Sequence, residues 1–324
     1  MKTLIIFLFF VPFLGFSQER AIDFPKDTTF NVKSAARKIA SDFPQAVPVG
    51  EYKISAVKEK RELVYHSFGE RKLHLDIFYP EIKKRETVPG VLLIHGGGWA
   101  SGSKSHLIPM AQKLAENGYV AASVEYRLSP EARYPAGIID LKTAIKWLKI
   151  NATEFGIDTS RIVTLGTSAG ATLASLLGTT AGCSLFPSHA VAMPVSDAVH
   201  AIVNIDGALD FTNDAESGKD EDPARPSAGA RWFGYTYKQK PELWVEASPV
   251  NYVCKNTPPT IFINSSLPRF HVGRDQYIEV LNANNIYNEV HTIAETPHPF
   301  WLFQPWFDET VPLIVDFLDQ VFKE

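Results

Sequence analysis

The run Gly166-Thr167-Ser168-Ala169-Gly170 follows the strand-like stretch "RIVTL" and opens an Ala/Leu-rich segment. A serine hydroxyl is a weak nucleophile until a base takes its proton. A G-x-S-x-G turn between strand and helix holds that hydroxyl clear of the chain, where a base can reach it. The turn strains the serine backbone, and its glycines let neighbouring chain pass close by. Upstream, His95-Gly96-Gly97-Gly98-Trp99 follows the apolar run "VLLI". Acyl transfer builds negative charge on a carbonyl oxygen, which preorganised N–H donors must meet, and a glycine run exposes its amides without side chains in the way. The expected donors are Gly97, Gly98 and the Ala169 amide, with His95 bracing the loop. Among nine histidines, only His298 follows the last strand-like run, in "AETPHPF", ahead of the C-terminal helical pattern. It is the expected base for Ser168, with His271 as its rival.

Such a histidine needs a carboxylate to fix its tautomer and stabilise the imidazolium. Its source is open in the sequence. The loop after "TIFIN" reads "SSLPRFHVGRD", so its first carboxylate is Asp275, in the first turn of a helical pattern. There, an Asp also serves as an ordinary helix N-terminal charge. Asp206 directly follows the run "AIVNI", and Gly207 lets the chain turn away behind it. Asp206 is the assigned acid, Asp275 the alternative, with Glu295 or no acid at all behind them.

The elements that must position these groups alternate. Two segments of period two, "ELVYHSF" and "KLHLDIFYP", joined by "GER", signal a hairpin. Short β-branched runs follow at "VLLIH", "VAASVEY", "RIVTLG", "AIVNI", "TIFIN" and "NEVHTI". Between them lie helical patterns: "LIPMAQKLAENG", "IIDLKTAIKWLKINATEFG", "AGATLASLLG" and "GRDQYIEVLNANN", with "ETVPLIVDFLDQVF" at the end. This alternation predicts an α/β fold with a mostly parallel central sheet of about eight strands and helices on both faces. Such sheets carry their sites at the carboxyl ends of strands, which is where each chemical motif lies.

The chain has 324 residues, 45% of them hydrophobic, enough for one large core. Its net charge of −4, with both signs interspersed, gives no footprint for nucleic acid. "MKTLIIFLFFVPFLGFSQ" carries Lys2, an apolar run from Leu4 to Phe16 and then small residues. It has the form of a signal peptide over residues 1–17, too short to span a bilayer. No Cys follows it, which argues against a lipoprotein. The expectation is an exported protein, periplasmic or extracellular, with no stable membrane insertion after cleavage. Residues 18–60 form a leader packed on the domain, with a helix over Val32 to Phe43, and residues 61–324 form the catalytic domain. Cys183 and Cys254 fit no metal-site spacing and are expected as two small buried residues.

The stretches "HGGGW", "EYRLSPEARYPAGIIDLKTAIKWL", "GIDTSRIVTLGTSAG" and "PPTIFIN" resemble the α/β-hydrolase superfamily. The branch is that of hormone-sensitive-lipase-like and bacterial acetylxylan or feruloyl esterase-like enzymes. The resemblance runs over residues 62–322. It implies the α/β-hydrolase fold, a Ser–acid–His triad in that chain order, and ester hydrolysis with neither cofactor nor metal. Ser168, His298, and Gly97, Gly98 and Ala169 match the family's nucleophile, base and oxyanion donors, and Asp140 a structural position. The departure is the acid. Relatives carry it a few residues beyond the later strand, where this chain has Pro268 and Arg269. Pancreatic-type lipases and haloalkane dehalogenases place it after the earlier strand, where Asp206 stands.

An acid supplied elsewhere leaves Arg269, His271 and Arg274 to bind the carboxylate of an acidic sugar such as galacturonate, or to form a local salt-bridge cluster with Asp275. Trp99 and Trp301 are the expected aromatic contacts. Phe300, Trp301, Phe303, Trp306 and Phe307 are either a platform for sugar rings or core. The implied activity is removal of ester groups, acetyl first among them, from plant cell-wall carbohydrates or small esters. A general carboxylesterase or lipase is the alternative, although the charged segment from Thr212 to Ser227 makes a poor lipid lid. A pectin-type esterase and a non-catalytic binding protein on the same scaffold complete the set; the missing loop acid is the only support for the last.

Overall fold

The two hairpin segments and the six β-branched runs become one sheet whose strand order is β2-β3-β5-β4-β6-β7-β8-β9. The strands are β2 (Val57–Phe68), β3 (Arg71–Pro80), β4 (Val88–Ile94), β5 (Val120–Val124), β6 (Ile157–Thr167), β7 (Ala201–Ile205), β8 (Thr260–Asn264) and β9 (Asn288–Thr292). The hairpin β2–β3 and the pair β3–β5 are antiparallel, and every pair from β5 to β9 is parallel. The computed structural model describes residues 30–81, 86–189, 195–217 and 226–323. The expected signal peptide over residues 1–17 and the centre of the charged segment from Thr212 to Ser227 lie outside them.

The central parallel strands β5, β7 and β8 are buried along their whole length, as covering on both faces requires. One face is packed by α3 (Ala136–Ile150) and α5 (Ala169–Thr179), with Leu92, Ile138, Leu141, Leu173 and Leu177 in its core. The other is packed by α2 (Ile108–Glu116) and α10 (Trp306–Val321), with Val91, Leu93, Met110, Val203, Ile261 and Ile314. The single helical pattern expected over residues 138–156 breaks at Asn151 into α3 and the short α4 (Ala152–Phe155). The expected leader helix is shorter than Val32 to Phe43: α1 runs Val32–Ile39, started by a capping box between Asn31 and Ser34. The leader is sewn on by β1 (Val47–Pro48), which pairs with β10 (Phe303–Gln304), and by Phe43 set edge-on to Trp306.

Two more short helices lie between β7 and β8 in the chain, α7 (Ala228–Phe233) and α8 (Pro241–Glu246), with Trp244 of α8 packed on Phe233 of α7. A further short helix, α6 (Asp214–Ser217), precedes them, and α9 (Arg274–Ala283) follows β8. The aromatic run after His298 is core: Phe300, Trp301, Phe303, Trp306 and Phe307 all pack into the second cluster. Both cysteines are free, and Cys254 is exposed, which corrects the expectation that both are buried.

Candidate active site

Ser168 sits between the last residue of β6 and the first of α5, with φ 52° and ψ −124°. A non-glycine residue holds that conformation only where its surroundings dictate it. Here they do so by leaving no room. A Cβ on Gly166 would meet the Gly170 carbonyl oxygen at 2.0 Å, and one on Gly170 would meet the Ile94 oxygen at 2.1 Å. The Ser168 amide is tied to the Ile205 carbonyl on the neighbouring strand end (2.8 Å).

His298 Nε2 lies 2.8 Å from Ser168 Oγ, and His298 Nδ1 lies 2.9 Å from Asp206 Oδ2. The carboxylate at hydrogen-bond distance from the histidine is therefore the one after β7. Asp206 is fully buried, with φ 54°. Its other oxygen, Oδ1, accepts the Ser265 amide (2.8 Å) and stands 3.5 Å from Asn264 Nδ2. Asp275 is elsewhere: three-quarters exposed on α9, paired with Arg274 at 2.9 Å. Glu295 is exposed.

The His298 ring is clamped. Phe270 stacks flat against it, with ring centroids 3.5 Å apart and planes 7° apart, and Trp301 meets it edge-on at 5.2 Å. Burial lowers the His298 pKa below its ordinary value; Asp206 opposes this, and Arg269 and Lys38 lower it further. The imidazole is thus neutral near neutral pH and ready to accept a proton, while the adjacent carboxylate stabilises it once charged.

The glycine loop after β4 presses on the same turn. A Cβ on Gly96 would meet Thr167 O at 2.7 Å and Ser168 Cβ at 2.9 Å. Gly97 (φ 122°) and Gly98 (φ 59°) take conformations that glycine adopts freely. Among the described residues their amides donate to no acceptor, whereas the Gly97 carbonyl accepts from the Ser101 amide (3.0 Å) and hydroxyl (2.9 Å). The Ala169 amide opens α5, where helix geometry offers it no partner. His95 lies behind the loop: Nδ1 is 2.8 Å from Gly96 O, the ring stacks on Tyr126 at 4.7 Å, and burial lowers its pKa to about 4. It is a neutral brace.

Ser168, His298, Gly97 and Gly98 line one cleft of about 580 Å³, more apolar than polar, together with Trp301, Phe270 and Pro299. Three of the expected substrate contacts are placed differently. Trp99 is buried, stacked face to face on Trp232 at 4.4 Å. His271 braces the site instead: Nε2 is 2.7 Å from Ser265 O, so it holds the turn whose amide serves Asp206. Arg269 pairs with Glu216 (3.2 Å), and Arg274 with Asp275 and with Asn264 Oδ1 (3.0 Å). That is the salt-bridge form of the cluster. Asp140, buried, accepts from Arg127 (2.8 Å) and contacts His189 (3.0 Å), away from Ser168.

Phe270, Lys38 and Arg231 also line this cleft, and the sequence singled out none of them. Phe270 stands between Arg269 and His271 with no local pattern to mark it, and Lys38 sits on the leader, whose seating no local pattern reveals. Arg231 is on a six-residue helix without a clear periodicity.

Residues 75–312 match the protein family described as BD-FAE. The chain is 30% identical over 233 residues to a protein named Esterase LipC from Mycobacterium tuberculosis, covering 68% of this chain and 53% of that one. A second protein of that organism, Probable carboxylic ester hydrolase LipM, is 30% identical, with 73% and 52% covered. The chain thus spans about half the length of these curated relatives. Among solved structures, one described as a bifunctional GH43-CE of Bacteroides eggerthii is 27% identical, with a TM-score of 0.67; the match covers 83% of this chain and 39% of that one. Esterase B of Lactobacillus rhamnosis shares the fold at TM-score 0.69 and 20% identity, over 90% of this chain and 94% of that one.

Proposed function

This chain belongs to the BD-FAE family of α/β-hydrolases, and we propose that it is a serine carboxylic-ester hydrolase that removes acetyl groups from plant cell-wall carbohydrates outside the cytoplasm. The single observation that carries the chemistry is the unbroken chain of contacts Ser168–His298–Asp206, at 2.8 and 2.9 Å, beside two glycine amides without acceptors among the described residues. Ser168 Oγ attacks the ester carbonyl as His298 Nε2 takes its proton, and Asp206 stabilises the imidazolium. The oxyanion rests on the amides of Gly97, Gly98 and Ala169. His298 then protonates the departing alcohol, and water repeats both steps on the acyl-enzyme.

Support for the substrate is separate. The relatives named above are esterases, and one structural neighbour carries the carbohydrate-esterase label CE in its description. Export rests on the signal-like segment over residues 1–17, since a polysaccharide cannot enter a cell intact. The binding-protein alternative loses its only support, because a buried carboxylate does face His298.

A fluorophosphonate probe and intact-mass measurement test the nucleophile: one adduct on the wild type and none on Ser168→Ala. Acetate release from acetylated xylo-oligosaccharides tests the substrate. Labelling without acetate release leaves a serine esterase of other specificity; no labelling removes the proposal.

A further inference from the structure

Arg231 is a cation in the wall of this cleft with no counter-ion among the described residues. Arg61, Arg71, Arg127, Arg161, Arg269 and Arg274 each pair with an Asp or Glu. Arg231 pairs with none among the described residues, and its Nε is buried without a hydrogen-bond partner. It lines the cleft together with Ser168, His298 and Gly98. Its position follows from the packing of α7 on the glycine loop. A Cβ on Gly98 would stand 3.4 Å from Ala228 Cβ, and Arg231 is one helical turn further on, on the same side of α7.

A second cation, Lys38, enters the same cleft from α1, and its charge reaches His298. No Asp or Glu lines this cleft among the described residues. A half-buried guanidinium without a partner is costly, and a planar carboxylate meets its donor fork at two points. The chain as a whole is anionic, so this local excess of positive charge runs against its composition.

We infer that the cleft selects esters whose alcohol portion carries a carboxylate, with Arg231 pairing to that carboxylate and Lys38 supplying the second positive charge. The inference rests on the esterase reading: with acetyl as the acyl group, the negative charge lies on the sugar, as in an acetylated uronic acid. The acidic-sugar idea attached in the sequence to Arg269, His271 and Arg274 thereby moves to a different wall of the site.

The test compares methyl glycosides of glucuronic acid and of glucose, each acetylated at the same hydroxyl. Wild type, Arg231→Gln, Arg231→Lys and Lys38→Gln are assayed, with thermal melts to confirm folding. The wild type is expected to favour the uronate in kcat/KM. Arg231→Gln loses about tenfold or more of that preference, mainly through KM, and Arg231→Lys restores part of it. Lys38→Gln, on an exposed helix face, lowers the preference by a smaller factor, and added salt erodes it. Equal kcat/KM for both sugars in the wild type overturns the inference. So does an equal loss on both in Arg231→Gln, which would make Arg231 a support for the oxyanion loop. If neither sugar is hydrolysed while Ser168 still labels with the fluorophosphonate, the inference falls and the serine esterase stands. If Ser168 does not label, both fall.

Discussion

Replacing Asp206 with Asn changes one atom of the site, and the surroundings fix which way round the amide sits. Oδ1 of Asp206 faces the Ser265 N–H at 2.8 Å, and Oδ2 faces His298 Nδ1 at 2.9 Å. In Asp206→Asn the amide oxygen stays against the Ser265 N–H, because the flipped amide would set two donors against each other and leave a buried N–H unsatisfied, at about 1–3 kcal/mol. The amide NH2 then points at His298 Nδ1, which must accept. The imidazole proton moves to Nε2, the nitrogen 2.8 Å from Ser168 Oγ, and that nitrogen can no longer take the serine proton. The backbone tolerates the change, since Asn adopts a φ near the 54° of Asp206 more readily than most residues. The expected loss in kcat is on the order of 10³ to 10⁴, or about 4 to 5.5 kcal/mol of transition-state stabilisation. Hydrolysis of p-nitrophenyl acetate measures it, with Asp275→Asn as the control. Asp275 is largely exposed and its polar partner among the described residues is Arg274, so less than about a twofold change is expected there. Asp206→Asn keeping activity within about tenfold of the wild type, or Asp275→Asn losing as much as Asp206→Asn, would refute the assignment.

Gly97→Ala places a Cβ 2.3 Å from the Ser101 oxygen at φ 122°, so the loop must move; kcat is expected to fall by about 10² or more, with a lower melting temperature. Because burial holds His298 below its ordinary value of 6.5, and only the neutral ring accepts a proton, the acid limb of kcat/KM has its midpoint below pH 6.5. Lys38 lowers that pKa, so Lys38→Gln moves the midpoint upward, and the shift shrinks in high salt; a pH–rate profile at two ionic strengths reads both signs. His95 has a folded pKa of about 4 against 6.5 unfolded, so its contribution is complete above pH 6.5 and is lost as pH falls towards 4. Up to about 3 kcal/mol of stability goes with it. His95→Gln is expected to flatten that part of the pH–stability curve in urea titrations, whatever it costs at pH 7.

The central parallel strands β5, β7 and β8 were legible because both of their faces are covered, which makes each a short apolar run rich in β-branched residues. The nucleophile turn and the glycine loop were legible because steric need writes them locally: Gly166, Gly170 and Gly97 stand where a Cβ has no room. The aromatic run from Phe300 to Phe307 read equally well as platform or core, since sequence gives ring type but not which face is wet; the C-terminal helix and the leader cover it. Contacts between distant segments left no local trace. Phe270 stacks on His298 through the fold of a loop, Arg231 reaches the cleft that Ser168 lines by way of Ala228 against Gly98, and Lys38 arrives on a leader whose anchoring strand is two residues long.

The displaced acid has a geometric explanation. β7 and β8 are parallel neighbours, with Ile205 in register with Ile263, so Asp206 and the residues after Asn264 emerge side by side beneath the same histidine loop. A carboxylate from either strand end can face His298 Nδ1, but the two positions cannot both hold one without mutual repulsion in a buried place. With Asp206 on β7, the loop after β8 is left to stabilise that charge, and its residues suit the task. The Ser265 amide donates to Asp206 Oδ1, His271 holds the Ser265 carbonyl, and Arg274 holds the Asn264 side chain. The stretch "NSSLPRFHVGRD" thus lacks a carboxylate near its start because it surrounds one supplied by its neighbour, and a second negative charge introduced at Ser265 would compete with the first.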